Sequence, residues 1–303
     1  MKKSLLGLAA LGLFGTVSAQ VTVYGKADVG YVNTASVGSI VSGGYEGSRI
    51  GVKGTTDLGA GITGAFKVEG GMSTADGTFT GFGREANVGF SGAFGALTAG
   101  LQWSPYDNAI AAMDAMEYNG FSPVTVLSGF DLGNTGNGNV KSSVQWASPI
   151  AAGFQATLMA APNAGDLNKR NYNGMGLNFA QGPVSLSLAT QSYESTSTSS
   201  VKSMALGGSI NLEKAVVFLG MTTTNDGSGK DATGQTVGVK IPVGENYVSF
   251  AWAKGLHATE STGWGAQYIY NWNKSAVIYT GYKVVQDPAA TTNTAGLGVR
   301  YDF

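Results

Sequence analysis

The sequence predicts an all-β protein, a 16-stranded antiparallel transmembrane β-barrel with long external loops. Three observations carry this: hydrophobicity alternates with period two, short turns interleave with longer polar connections, and charge is sparse while glycine is abundant. Strict alternation puts one face of a strand on an apolar phase and the other in water. Such strands cross a membrane only as a closed barrel, because an open edge would leave unpaired amides in hydrocarbon.

The chain opens differently. Met1-Lys2-Lys3, an apolar run from Leu5 to Phe14 and Val17-Ser18-Ala19 form a basic n-region, an h-region and a small-residue cleavage site. Residues 1–19 are therefore expected to be a removed secretory signal and residues 20–303 the barrel. The run is short for the ~20 residues of a spanning helix. Beyond it the longest apolar stretch, Ala215 to Met221, is about seven residues, which excludes a helical membrane protein.

The alternation is clearest at the two ends. Val21, Val23, Ala27 and Val29 alternate with Thr22, Tyr24, Lys26 and Asp28; Ala295, Leu297, Val299, Tyr301 and Phe303 alternate with Thr294, Gly296, Gly298, Arg300 and Asp302. Ile50 and Val52 alternate with Arg49 and Lys53, and Phe66 and Val68 with Lys67 and Glu69. Short turns are expected at 57–61, 92–95, 149–153, 181–183, 213–214, 242–246 and 271–274. Longer connections are expected near 33–46, 71–81, 104–139, 161–171, 193–200, 224–233, 254–262 and 286–293. Seven short turns between eight long loops require 16 strands with both chain ends on the short-turn side, the pattern of an outer-membrane barrel. Sixteen strands enclose an aqueous lumen, whereas eight would be filled by side chains.

Composition agrees. Charged residues are 12% of the chain, about half the usual share of a soluble surface. Lys or Arg on the lipid face would cost roughly 2–4 kcal/mol at the midplane. The strand charges Lys26, Asp28, Arg49, Lys53, Lys67, Glu69 and Lys141 all take the polar parity, while Trp103, Trp146, Trp252, Trp264, Tyr268, Tyr301 and Phe303 suit interfacial girdles. Without Lys2 and Lys3 the chain keeps 16 basic against 19 acidic residues, which excludes the basic surplus of a nucleic-acid binder. There is no cysteine, hence no disulfide scaffold or thiolate metal site, and no cofactor is expected.

Several segments resemble the trimeric general porins of Gram-negative bacteria, especially the beta-proteobacterial type. They are Ser48-Arg49-Ile50-Gly51-Val52-Lys53-Gly54-Thr55-Thr56-Asp57-Leu58-Gly59, running on to Glu69; Gly83-Arg84-Glu85-Ala86-Asn87-Val88-Gly89-Phe90; Ser143-Val144-Gln145-Trp146-Ala147-Ser148-Pro149; and the ending Gly298 to Phe303. The resemblance implies a passive channel for small hydrophilic solutes, a homotrimer, and a third external loop folded into the lumen. It also implies an outer-membrane setting with lipid and lipopolysaccharide as neighbours, and recognition of the terminal Phe303 by the assembly machinery. Two departures thin the basic wall: Leu101 stands where such porins carry arginine, and Glu85 where anion-selective relatives can.

The longest connection, 104–139, is where a constriction is expected, since a loop of this length is rarely idle. Ile110, Met113 and Met116 stand at helical spacing behind a possible Asp107 cap. The loop offers Asp107, Asp114, Glu117 and Asp131. Opposite it, on lumen parity, stand Lys26, Arg49, Lys53, Lys67 and Lys141, interspersed with Asp28, Glu69 and Glu85. Separated acidic and basic walls would set a transverse field that sorts ions. Each of these charges read singly is also compatible with a solvated lumen residue.

Other chemistry is thin. The single histidine, His257, falls in a loop and leaves no candidate triad, so an enzyme is not expected. Gly227-Ser228-Gly229-Lys230 lacks the first glycine of a phosphate loop, and Asp131 to Gly136 lacks the distal glutamate of a calcium loop. An adhesion or structural barrel and a substrate-specific channel stand as alternatives to general diffusion.

Overall fold

The computed structural model describes residues 20–127, 138–162, 171–194, 200–225, 231–256 and 260–303. The signal expected over 1–19, Asp131, the 227–230 turn and His257 lie outside the described residues.

The first half of the ladder comprises β1 (Gln20–Thr34), β2 (Val37–Ser42), β3 (Arg49–Gly59), β4 (Ile62–Gly71), β5 (Glu85–Gly92), β6 (Gly95–Trp103), β7 (Asn139–Ala147) and β8 (Phe154–Ala161). The second comprises β9 (Tyr172–Gln181), β10 (Val184–Glu194), β11 (Ser200–Asn211), β12 (Val216–Asn225), β13 (Asp231–Val243), β14 (Asn246–Leu256), β15 (Glu260–Asn271), β16 (Ala276–Gln286) and β17 (Thr291–Asp302). Neighbours pair antiparallel, and β1 pairs β17 from Lys26↔Asp302 to Thr34↔Thr294, which closes the sheet. Phe303 completes the seam: its carbonyl accepts from the Gly25 amide at 2.9 Å and its own amide donates to Gly25 at 3.1 Å.

Seventeen segments make 16 barrel strands because β2 and β3 are two halves of one. β2 pairs the upper part of β1, Val29↔Ser42 to Thr34↔Val37, and β3 the lower part, Gln20↔Thr55 to Lys26↔Arg49. Residues 43–48 leave the ladder opposite Ala27 and Asp28. The external loop expected over 33–46 is thus replaced by a tight turn at Ala35 and Ser36, both at positive φ (50° and 69°), followed by this excursion. Positive φ at both central residues is the hairpin geometry that matches strand twist. The seven short turns fall where the sequence places them; Gly59, Ala60 and Gly61, all at positive φ, make the first.

Parity holds along the wall. Val23, Val88, Leu219, Phe250, Leu297 and Tyr301 stand exposed on the outer face, as the lipid phase requires. The inner face carries Ala189, Ala205, Ala251, Ala253, Ser203, Thr222 and Gln267, all buried. What buries them is the third loop. Its helix α1 (Pro105–Ala112) packs on β9, β10 and β11, and a 3₁₀ turn (Pro123–Val126) on β14 and β15. The loop therefore folds into the lumen.

Candidate functional site

The loop is held by local capping and by space in the wall. Ser104 is the N-cap of α1, its Oγ accepting from the Asp107 amide at 3.0 Å, with Pro105 in the first turn. Asp107 is therefore the third helical residue rather than the cap, and the helix stops at Ala112, short of Met116. Small wall residues admit the loop: a Cβ at Gly255 would meet Leu127 Cα at 2.9 Å and the Val126 carbonyl, and one at Gly220 would meet Met113 Cβ at 2.7 Å. Ile110, Met113, Val124 and Leu127 fill this seat, buried against Ala189, Ala205 and Ala253.

The loop tip is a left-handed pair, Glu117 (φ 60°) and Tyr118 (φ 62°), which costs non-glycine residues about 1–2 kcal/mol each. Asp114 offsets this. Its Oδ1 accepts from the Met116 amide at 2.9 Å and its Oδ2 from the Tyr118 amide at 2.8 Å. Glu117 then projects towards Lys240 and Tyr247: it forms an ion pair with Lys240, and Tyr247 Oη donates to its Oε2 at 2.8 Å. The Lys240 ammonium also lies 3.8 Å from the centre of the Tyr247 ring.

The 43–48 excursion comes from between β2 and β3. Gly43, at φ 75°, opens it, and Ser48 closes it by satisfying β1 where the partner strand is missing. The Asp28 amide donates to Ser48 Oγ at 2.9 Å, Ser48 Oγ donates to the Asp28 carbonyl at 3.0 Å, and the Gly43 amide to the same carbonyl at 3.1 Å. Asp28 Oδ2 accepts from the Glu46 amide at 2.8 Å, and Oδ1 from Tyr279 Oη at 2.7 Å. Tyr45 is carried to the loop tip, where its carbonyl accepts from the Gly120 amide at 3.1 Å.

The wall is a network of both signs. Glu46 lies 2.6 Å from Lys26, 3.1 Å from Arg49 and 3.0 Å from Arg300. Glu69 lies 2.8 Å from Arg84 and 3.8 Å from Arg49. Glu85 lies 2.5 Å from Lys67, and Trp103 Nε1 donates to it at 3.0 Å, which turns Trp103 from the expected girdle towards the wall carboxylates. Lys53 stands 5.1 Å from the Tyr24 ring centre. Lys26, Arg49, Lys53, Lys67 and Glu85 are thus brought together on one side of the lumen, with Glu117 on the loop.

Three expected residues lie elsewhere. Asp107 (4% exposed) and Asp114 (3%) are buried between loop and wall rather than lining the passage, because both serve the loop's own hydrogen bonds. Burial pushes the Asp107 carboxyl up to about 7 despite a 2.7 Å bond from Tyr118 Oη, and pushes Asp114 up as well. Burial acts on Glu117 too, but the Lys240 ammonium outweighs it and holds this carboxyl below its usual value. Lys141 is exposed on a bulge of β7 beside Ser142 (φ 53°), where the register against β6 slips. Glu46, Arg84, Lys240, Arg300 and Tyr45 were not expected from the sequence; Arg300 and Lys240 showed a signal in their polar parity, Lys240 standing between Val239 and Ile241.

A family model for Gram-negative porins matches residues 7–302. Major outer membrane protein P.IB of Neisseria gonorrhoeae is 37% identical over 59% of this chain, which spans about half, 53%, of that protein's length. The fold superposes on the anion-selective porin from Comamonas acidovorans with a TM-score of 0.83 at 20% identity, covering 94% of this chain and all of that one. It also superposes on the trimer form of OmpT from Vibrio cholerae with a TM-score of 0.73 at 16% identity, covering 94% and 100%. These matches set the chain in the outer membrane. A closed 16-stranded barrel with its third loop turned inward, matched by the family model along nearly its whole length, belongs to the Gram-negative porin family.

Proposed function

We propose that the protein is a passive, water-filled channel for small hydrophilic solutes and ions, and that it works as a homotrimer embedded in outer-membrane lipid and lipopolysaccharide. The observation that carries this is the constriction. Loop 104–127, rooted between β6 and β7, and excursion 43–48, rooted between β2 and β3, both turn into the barrel and meet at Tyr45 and Gly120, and they leave charged side chains, Lys67 (33% exposed) and Glu117 (38%), in contact with solvent. A wall of alternating sign favours water and polar solutes and gives weak rather than strong ion preference. Chemistry on the solute is not part of this reading; the charged groups are paired with one another as a lining.

Purified protein in planar bilayers should give stepwise, ohmic, weakly selective currents, in groups of three for a trimer. A well-folded preparation that never conducts would favour an adhesion or structural barrel. Saturation by one solute at low concentration would favour a substrate-specific channel.

A further inference from the structure

Glu46 lies outside the strand ladder, so its position follows from the excursion and not from strand parity. Its backbone amide is tied to Asp28 Oδ2 at 2.8 Å, and the neighbouring Tyr45 is buried at the loop tip. The carboxylate is therefore held in place by its own segment. Around it converge cations from three strands: Lys26 of β1 at 2.6 Å and Arg49 of β3 at 3.1 Å on Oε2, and Arg300 of β17 at 3.0 Å on Oε1. Further carboxylates stand behind all three, Asp302 at 3.0 Å from Arg300 and 4.0 Å from Lys26, and Glu69 at 3.8 Å from Arg49. Both oxygens of Glu46 are thus engaged, and Glu46 is the one carboxylate that touches all three cations.

We propose that Glu46 is a selectivity-determining residue of the channel, a tethered counter-ion that gathers Lys26, Arg49 and Arg300 on the wall and cancels part of their field. This rests on the channel reading above. Mobile anions compete for cationic groups with whatever carboxylate already occupies them, and a tethered carboxylate has a high effective concentration. With Glu46 in place the three cations offer the passage little free positive charge. With its charge removed they face the lumen as a basic cluster. The chain is in this respect an anion-attracting wall restrained by a carboxylate from its own excursion.

The test is the reversal potential under a potassium chloride gradient at low salt. Glu46→Gln should move it towards anion preference, raising the chloride-to-potassium permeability ratio about two- to fivefold, as one elementary charge at pore distance implies. The change should shrink near 1 M salt, where screening reaches only ~3 Å. Because the chain has no cysteine, Glu46→Cys gives a single thiol for a second measurement. A negatively charged thiosulfonate reagent should bring that variant back towards the parent ratio, and a positively charged one should carry it further towards anions. A conducting Glu46→Gln channel with the parent ratio, or one shifted towards cations, overturns the proposal. Failure of both variants to assemble makes Glu46 a residue of folding and overturns it equally. A parent protein that never conducts sinks the channel reading instead, so the two failures are distinguishable.

Discussion

The Tyr45 hydroxyl donates to Glu117 Oε2 at 2.7 Å, joining the strand excursion to the loop tip across 72 residues of sequence. The bond ties together the two segments that turn into the lumen, which also pack through Tyr45, Met116 and Phe121. Tyr45→Phe keeps the ring beside Tyr279, 5.3 Å between centres, and removes the hydroxyl alone. A loss of about 1.5–3 kcal/mol is expected for a bond to a carboxylate, so amides 117–120 should exchange roughly tenfold faster or more while strand amides do not change. Unaltered exchange at the tip would show that this hydroxyl does not hold it.

The seat of the loop can be disturbed from the wall. A Cβ at Gly255 would fall on loop backbone, Leu127 Cα at 2.9 Å and the Val126 carbonyl, which has no flexible end to swing aside. Gly255→Ala should cost the seat roughly 1–3 kcal/mol, and single-channel conductance should become larger or noisier as the loop lifts. The barrel should still migrate as a heat-modifiable band. Parent-like conductance with parent-like noise would count against this packing.

Asp107 predicts a pH dependence of the same seat. Burial raises its folded value to about 7, above the usual 3.8, so the seated loop keeps a proton that the unfolded chain has already lost. Its stabilisation is fully present below about pH 4 and is lost as pH rises through about 7, to a total near 4 kcal/mol. Opening free energies for residues 106–112, from hydrogen exchange, should therefore fall between pH 5 and pH 8. Asp107→Asn keeps an acceptor for Tyr118 and should flatten the profile. A profile equally steep in both proteins would rule Asp107 out as the cause.

How much was legible in the sequence depends on which rule placed each residue. Strand parity put Arg49, Lys53 and Lys67 on the inner face because Ile50, Val52 and Phe66 had to take the outer one, and a one-residue slip would reverse them all. Turn chemistry located all seven short turns. The excursion 43–48 was invisible because Gly43-Gly44 reads equally well as an external loop, and so Glu46 and Tyr45 were missed. Asp107 and Asp114 were misplaced because charge alone does not separate a lining carboxylate from one that accepts the loop's own hydrogen bonds, from the Tyr118 hydroxyl at Asp107 and from the Met116 and Tyr118 amides at Asp114. Lys240 lies on a strand far along the chain, and only the loop's path reveals what it faces.

The chain end closes the seam. Phe303 exchanges both backbone bonds with Gly25, and its ring lies where a Gly25 side chain would stand. Deleting Phe303 removes two ladder bonds, each about 1 kcal/mol, and the ring that fills the space beside Gly25. Protease-resistant barrel in the outer membrane should fall well below the amount synthesised. Gly25→Val should impair closure too, by displacing the ring. Unchanged amounts of folded barrel in the deletion would refute both roles.

Ion preference should separate the lining charges from the buried ones. Arg49→Ala removes a fixed positive charge, since arginine stays protonated in this setting, and should shift the reversal potential towards cations. Glu117→Gln removes a negative charge that contacts solvent and should shift it towards anions. Asp114→Asn changes no charge in contact with the passage; it should leave the ratio in place while loosening the tip, because one carboxylate oxygen that accepts from Met116 or Tyr118 is replaced by a donor. Both shifts should fade as salt approaches 1 M. If Asp114→Asn moved the ratio as far as Glu117→Gln, the buried carboxylate would be sensed by the passing ions and the division drawn between the two would be wrong. If neither Arg49→Ala nor Glu117→Gln moved it at low salt, the narrow section would lie elsewhere along the barrel.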